Sequence, residues 1–203
     1  MTPRIALIDY GAGNLTSVRK GFAAAGAELY TPGSPLELRN AAGIVIPGVG
    51  HFSATVSLDD RWREQLLARV AAGIPLFGVC LGMQWLFEGS DEAHGVAGLG
   101  LFRGSCTRLT ASATVKVPHV GWNTLTHAGT SALLDGVPAD VHVYFTHTYA
   151  VPVTTESAAT CTHGSEFAAA VERDQVWGVQ FHPEKSSEAG LRILRNFVAR
   201  VAS

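Results

Sequence analysis

Cys80 lies in a run, Leu76-Phe77-Gly78-Val79-Cys80-Leu81-Gly82-Met83-Gln84, whose residue types and spacing suit a nucleophile. An apolar strand-like stretch leads straight into Gly-x-Cys-x-Gly, and Leu81, Trp85 and Leu86 then recur at helical spacing. Small residues two before and two after the cysteine permit a tight strand-to-helix turn, which exposes the side chain at the carboxyl edge of a sheet. The helix start beside the sulfur favours thiolate over thiol. The backbone N–H of Leu81 is placed to meet an oxyanion. The plain alternative is a structural cysteine at a strand end, and the flanking glycines weigh against it.

A thiolate that attacks an amide needs a proton donor for the leaving amine and a group that orients the donor. Val179-Gln180-Phe181-His182-Pro183-Glu184 offers both. His182 ends an apolar stretch, Pro183 fixes φ, and an extended pair His182/Glu184 points to one side. Cys80, His182 and Glu184 make a triad in which the carboxylate holds the imidazole tautomer. A surface histidine beside a solvated glutamate is the alternative, and Cys80 argues against it.

Other segments carry weaker signals. Pro47-Gly48-Val49-Gly50 follows an apolar run, so it also opens at the carboxyl edge, and its backbone is a source of a second oxyanion donor. Asp9-Tyr10-Gly11-Ala12-Gly13-Asn14 has two glycines of a dinucleotide fingerprint but Thr16 at the third, and only Glu28 as acid, so it reads as a surface loop. No His, Cys, Asp or Glu cluster has metal-ligand spacing, and no cofactor is expected. His94, His127 and His163 read as surface residues; His51, His119 and His147 line a site or serve the structure. Cys106 and Cys161 read as small hydrophobes or exposed thiols without function.

The chain that must position these groups has 203 residues, 47% hydrophobic and 16% charged, with net charge −2. That composition excludes a disordered chain and a broad nucleic-acid footprint. No apolar stretch reaches the roughly 18 residues of a membrane span. Residues 1–9 lack the long apolar region and cleavage site of a signal peptide. Three widely spaced cysteines make no disulfide framework, so a reducing cytoplasm is expected. One domain over residues 1–203 is expected. Strands are expected at residues 5–8, 27–30, 43–46, 76–79 and 176–181. Helices are expected around Leu15/Val18/Phe22/Ala25, Trp62/Leu66/Leu67/Val70 and Leu191/Leu194/Phe197/Val198/Val201, with Gly26 and Gly73 as stops. The alternation predicts an α/β fold: an open, mostly parallel twisted sheet with helices on both faces. Residues 98–170 are predicted to add mixed or antiparallel strands, including 115–117 and 141–145, with turns at Asn123, Gly129 and Gly136.

Gly78-Val79-Cys80-Leu81-Gly82-Met83-Gln84 with Phe181-His182-Pro183-Glu184 resembles the class I (triad) glutamine amidotransferases. Ile8-Asp9-Tyr10-Gly11-Ala12-Gly13-Asn14-Leu15, Pro47-Gly48-Val49-Gly50, Lys116-Val117-Pro118-His119-Val120-Gly121-Trp122-Asn123, Tyr144-Phe145-Thr146-His147-Thr148-Tyr149 and residues 178–186 resemble the glutaminase subunits of imidazole glycerol phosphate synthases. The resemblance covers nearly the whole chain and is weakest over about 154–166. It implies hydrolysis of glutamine to glutamate and ammonia. The ammonia passes to a cyclase subunit, a (β/α)8 barrel forming a heterodimer with this one, which makes imidazole glycerol phosphate and an aminoimidazole carboxamide ribotide in histidine biosynthesis. It further implies Cys80 as nucleophile, His182 as acid/base and Glu184 as its orienter. By the same carry-over Gln84, Glu92, Thr148 and Tyr149 hold glutamine, with Glu92 assigned on distance from Cys80. Gly48 and Val49 serve the oxyanion together with Leu81, and Pro47 to Gly50 matches a strand held unready until the cyclase binds its ligand. Asn14, Trp122, Tyr144 and Lys185 lie at or near the cyclase interface. Other class I subunits, a stand-alone cysteine hydrolase and a non-catalytic scaffold are the competing readings. The Lys-x-Pro-His-x-Gly-Trp-Asn stretch and Met83 speak against the first, and the intact triad against the last.

Overall fold

A computed structural model describes residues 3–127 and 130–203. Strand β1 (Ile5–Leu7) leads to α1 (Leu15–Ala24), then β2 (Leu29–Tyr30), β3 (Gly43–Ile46), α2 (Asp60–Ala71), β4 (Leu76–Val79) and α3 (Leu81–Trp85). The middle of the chain adds β5 (Gly89–Ser90), β6 (Ser105–Arg108), β7 (His119–Leu125), β8 (Val141–His147) and β9 (Tyr149–Ala150). Then come β10 (Ser157–His163), β11 (Ser165–Arg173), β12 (Val176–Val179) and α4 (Ser187–Ala202).

The main sheet has the order β10-β11-β12-β4-β3-β1-β2. Strands β12, β4, β3, β1 and β2 run parallel, while β10 and β11 are antiparallel additions. Side chains on a strand alternate between faces, and the apolar runs split accordingly. Ile5, Leu7, Val45, Phe77, Val79, Trp177 and Val179 share one core with Val18 and Phe22 of α1 and Ile193, Leu194 and Phe197 of α4. Ala6, Ile8, Ile44, Ile46, Leu76 and Val176 share the other with Leu66 of α2 and Met83 and Trp85 of α3. Both faces are thus covered, which is why these strands read as unbroken apolar runs. Phe197 anchors α4: its ring meets Phe22, Phe77 and Trp177. Burying such a ring contributes roughly 1.5–3 kcal/mol.

Asn14 caps α1 by accepting from Ser17 N, Asp59 caps α2 by accepting from Trp62 N, and Gly26 and Gly73 follow the two helices at φ 89° and 78°. Glycine tolerates that left-handed backbone at little cost.

Two expectations change. Residues 115–117 form no strand, because Ser112 folds the chain locally: its Oγ accepts from Val115 N and its N–H donates to Val115 O. Such side-chain bonds compete with a ladder. Asn123 lies inside β7, not in a turn, since its amide donates to Thr162 O on β10. Gly136, at φ 68°, does sit outside regular structure between β7 and β8; the expected turn at Gly129 lies outside the described residues. No described helix is long and apolar enough to cross a membrane.

Candidate active site

Strand β4 ends at Val79 and α3 starts at Leu81, so Cys80 alone makes the turn, at φ 54° and ψ −108°. A non-glycine residue held there costs on the order of 1–3 kcal/mol, which the surroundings must offset. They do so by contact: Cys80 N donates to Val179 O at 2.7 Å, and Leu81, Gly82 and Met83 are buried. Gly82 is required by packing, since a Cβ there would sit 1.8 Å from the Ile46 carbonyl oxygen of β3. The thiol is directed at Thr146 O at 3.9 Å, and Gln180 Nε2 donates to Sγ at 3.6 Å.

The parallel register Val179↔Val79 brings the chain after β12 alongside Cys80. His182 follows in extended conformation, at φ −102° and ψ 97°. The expected extended pair ends there, because residues Pro183–Lys185 form a 3₁₀ turn. That turn carries Glu184 back to the ring: His182 Nδ1 and Glu184 Oε1 lie 2.9 Å apart, with both side chains 3% exposed. Pro183 supplies φ for the turn rather than for an extended strand. Among the described residues, His182 Nε2 and Glu184 Oε2 are buried without a hydrogen-bond partner. Burial would lower the proton affinity of His182, but interaction with Cys80 and with Glu184 outweighs it and raises the pKa to about 10.

A cavity of about 350 Å³ opens over the sulfur, lined by Cys80, Leu81, Gln84, Glu92, Thr148 and Tyr149 among others. Its size suits a small polar molecule. Gln84 Nε2 donates to Tyr149 O at 2.8 Å and to Gln180 Oε1 at 3.1 Å. Glu92 Oε2 accepts from Phe52 N at 2.7 Å, tying the cavity wall to the turn at Phe52–Ser57.

The segment 47–50 follows β3 and borders the same cavity through Gly50. The Leu81 N–H is not free: it donates to Gly48 O at 3.4 Å. A trans peptide points its C=O and N–H in opposite directions, so the Val49 N–H is turned away from Leu81. Of the three residues expected to serve the oxyanion, Leu81 has its N–H covered and Val49 has its N–H averted, so these two donors do not converge in this conformation.

Trp122, Tyr144 and Lys185 gather on the outside. Trp122 is 51% exposed and meets Tyr144 edge-on at 6.1 Å, while Lys185 Nζ lies 5.6 Å from the centre of the Tyr144 ring. Behind this patch, His182 N donates to Tyr144 O. Asn14 stands exposed at the start of α1.

Two residues escaped sequence reasoning. Gln180 is fully buried and bridges Gln84 to the sulfur; the pairing of Val179 with Val79 brings it there, and no local spacing announces it. Tyr10 is buried and its hydroxyl donates to Pro47 O at 2.8 Å, with no local pattern to announce it. His163 is no plain surface residue, since it stacks on His119 at 4.0 Å and bonds Lys116 O. His119 Nδ1 meets His147 Nε2 at 3.0 Å, and His147 Nδ1 donates to Tyr149 O, so this histidine pair backs the cavity wall. Burial first, and neighbouring histidines second, lower His119 to about 3; burial outweighs the Tyr149 bond and lowers His147 to about 4. Cys106 and Cys161 are buried, and burial pushes both thiols up, Cys161 to about 12. No described group of three His, Cys, Asp or Glu side chains could hold a metal ion.

Comparison with known proteins matches residues 6–201 to the family described as glutamine amidotransferase class-I. A relative from Gloeobacter violaceus named imidazole glycerol phosphate synthase subunit HisH is 48% identical, covering 100% of this chain and 92% of its own. Relatives of the same name from Microcystis aeruginosa and Moorella thermoacetica are 46% and 43% identical over 97% and 95% of this chain, and 95% and 93% of their own. PurLQS from Thermotoga maritima superposes with a TM-score of 0.76 at 18% identity, covering 98% of this chain and 99% of that one. That last likeness speaks for the fold alone.

Proposed function

The chain belongs to the class I glutamine amidotransferases, and from that premise we propose that it is the glutaminase subunit of an imidazole glycerol phosphate synthase in histidine biosynthesis. Its partner is a cyclase subunit with a (β/α)8 barrel, which takes the ammonia and makes imidazole glycerol phosphate and an aminoimidazole carboxamide ribotide. The near-half identity to HisH relatives over the full chain supports this. Three unpaired cysteines suit a cytoplasmic setting.

The geometry supports the following course of reaction. Glutamine enters the cavity, held by Gln84, Glu92 and the backbone of Thr148 and Tyr149. The Cys80 sulfur adds to the side-chain amide carbon, and the carbonyl oxygen takes the negative charge. His182, turned by Glu184 so that Nε2 is its unengaged nitrogen, gives a proton to the departing amine. Ammonia leaves and a thioester to Cys80 remains. His182 then takes a proton from water, which attacks the thioester and releases glutamate.

The observation that carries the regulated form of this reading is the Gly48 carbonyl on the Leu81 N–H. With that bond in place the oxyanion has no pair of donors. Rotation of the Gly48–Val49 peptide frees Leu81 N–H and turns Val49 N–H inward; each such donor is typically worth about 10²–10³ in rate. The free chain thus sits in a low-activity state, and the loaded cyclase selects the rotated one. Asn14, Trp122, Tyr144 and Lys185 form the docking face.

The test is glutamate release from glutamine by the purified chain, with and without the cyclase subunit and its ribonucleotide ligand, with Cys80→Ala as control. Stimulation that vanishes in Cys80→Ala is expected. Equal rates with and without the loaded cyclase would overturn the gated reading and favour a stand-alone hydrolase.

A further inference from the structure

The segment that must move is held from one side by a residue outside the triad. Tyr10 follows β1 and enters the core beside β3. Its hydroxyl donates to Pro47 O at 2.8 Å in a buried setting. The same oxygen occupies the space where a side chain of the next residue would go: a Cβ at Gly48 would lie 2.1 Å from Tyr10 Oη, and 2.7 Å from Leu81 Cβ. Gly48 is therefore wedged between the Tyr10 hydroxyl and the first turn of α3. The bond fixes the carbonyl immediately before the peptide whose orientation decides whether Leu81 N–H is covered.

We propose that Tyr10 is a positioning residue that latches the oxyanion strand in its closed orientation, by pinning Pro47 O and filling the space beside Gly48. The inference rests on the glutaminase reading above and adds to it the element that sets the resting state. Rotating the Gly48–Val49 peptide turns ψ of Gly48 and φ of Val49 against a fixed Pro47 end. With the hydroxyl in place, the resting geometry keeps Gly48 O on Leu81 N–H. Burial first, and the charge at Cys80 second, raise the Tyr10 phenol well above its ordinary value, so it stays a donor across the working pH range.

The latch is also connected outward. Tyr10 lies in the 9–14 loop, which Asp9 braces by accepting from Gly11 N at 3.0 Å. The loop ends at Asn14, the exposed cap of α1 and part of the proposed docking face. The same loop runs close to the oxyanion strand again at Gly13, where an added Cβ would lie 3.8 Å from Pro47 Cγ. A partner that shifts this loop shifts the hydroxyl relative to Pro47.

The variant is Tyr10→Phe, which removes one oxygen and keeps the ring. Glutaminase kcat and KM are measured for the chain alone and with the loaded cyclase. Expected is a basal kcat raised about 2- to 10-fold, the population change that one ordinary hydrogen bond supplies, with KM for glutamine unchanged. The stimulated rate stays near wild type, so the stimulation ratio falls by the same factor. Alkylation of Cys80 by iodoacetamide uses no oxyanion hole, and its rate is expected to be unchanged. A basal kcat at or below wild type overturns the latch, as does a rise matched by faster alkylation, which marks a loosened elbow. If Tyr10→Phe does not fold, 3-fluorotyrosine in the otherwise native chain replaces it. The Tyr10 fluorine resonance must then move when the loaded cyclase binds, and an unmoved resonance overturns the latch. Absence of stimulation in the wild-type chain is a separate outcome, which removes the glutaminase-subunit reading.

Discussion

Gly82→Ala puts the architecture of the elbow to its sharpest test. The added methyl carbon would lie 1.8 Å from the Ile46 carbonyl oxygen and 2.7 Å from its carbon. Cβ atoms do not approach heavy atoms closer than about 3.0 Å, so α3 and β3 must separate by roughly 1.2 Å at this point. Neither side yields easily. Ile46 is a fully buried residue of a central strand, and the whole of α3 is buried. Overpacking of this kind costs about 1–3 kcal/mol. The displacement falls between the nucleophile turn and the oxyanion strand, so it changes the distance on which catalysis depends. A misplacement of about 1 Å can cost about 10²-fold in rate. Glutamate release in the presence of the loaded cyclase gives kcat, and the urea midpoint gives stability. Expected are a kcat down about 10²-fold and a stability loss of 1–3 kcal/mol. A variant with wild-type kcat and a stability change below about 0.5 kcal/mol would refute the claim that the elbow backbone rests on β3.

Glu184→Gln removes one of the charges that raise His182, so the imidazole pKa should fall from about 10. The alkaline limb of the glutaminase pH profile then moves to lower pH, and kcat drops about 10²- to 10⁴-fold; an unmoved limb counts against the pair. A raised histidine pKa stabilises the fold fully below about 6.5 and loses that contribution as pH climbs through about 10. His119 and His147 act in the opposite sense. Their lowered values, about 3 and about 4, mean stability is present above 6.5 and lost as pH falls toward 4, by at most about 1.4 kcal/mol per pH unit for each ring. His119→Phe should show a smaller difference in urea midpoint between pH 7 and pH 4.5 than the parent, and an equal or larger difference tells against this account. Trp122→Ala, at an exposed ring, should weaken cyclase binding by about 2 kcal/mol or more, roughly 30-fold in Kd by calorimetry, with the fold intact. An unchanged Kd removes Trp122 from the docking face.

The parallel core was legible because its strands are buried on both faces and so are written as apolar runs closed by glycine, proline or an acid. The residues 43–46 and 76–79 coincide with β3 and β4. Patterns fail where a side chain bonds locally or across the fold. Ser112 turns the chain where valines suggested a strand, and Asn123 serves β10 from inside β7. The pairing of His182 with Glu184 could be read from spacing, but its route could not. The proline that suggested an extended pair opens a 3₁₀ turn instead, and both geometries bring a residue two positions on within reach.

What no spacing could reveal is the part of the site made by neighbouring strand ends. Parallel strands in register deliver their carboxyl ends to one edge, so residues 47–50, 80–84 and 180–184 converge although the chain separates them widely. Gln180 reaches the sulfur only because Val179 pairs with Val79, and Tyr10 reaches Pro47 only because β1 lies beside β3. The closed oxyanion strand depends on the same convergence. Its carbonyl finds the Leu81 N–H because β3 and the elbow share one edge, and the proposed peptide rotation exchanges that bond for the inward Val49 N–H. A strand tip with glycines on both sides of Val49 can make that exchange without disturbing β3, whose ladder ends at Ile46. In the proposed gate the motion is confined to this loop while Cys80, His182 and Glu184 keep their places, so the proposal needs no rearrangement of the triad.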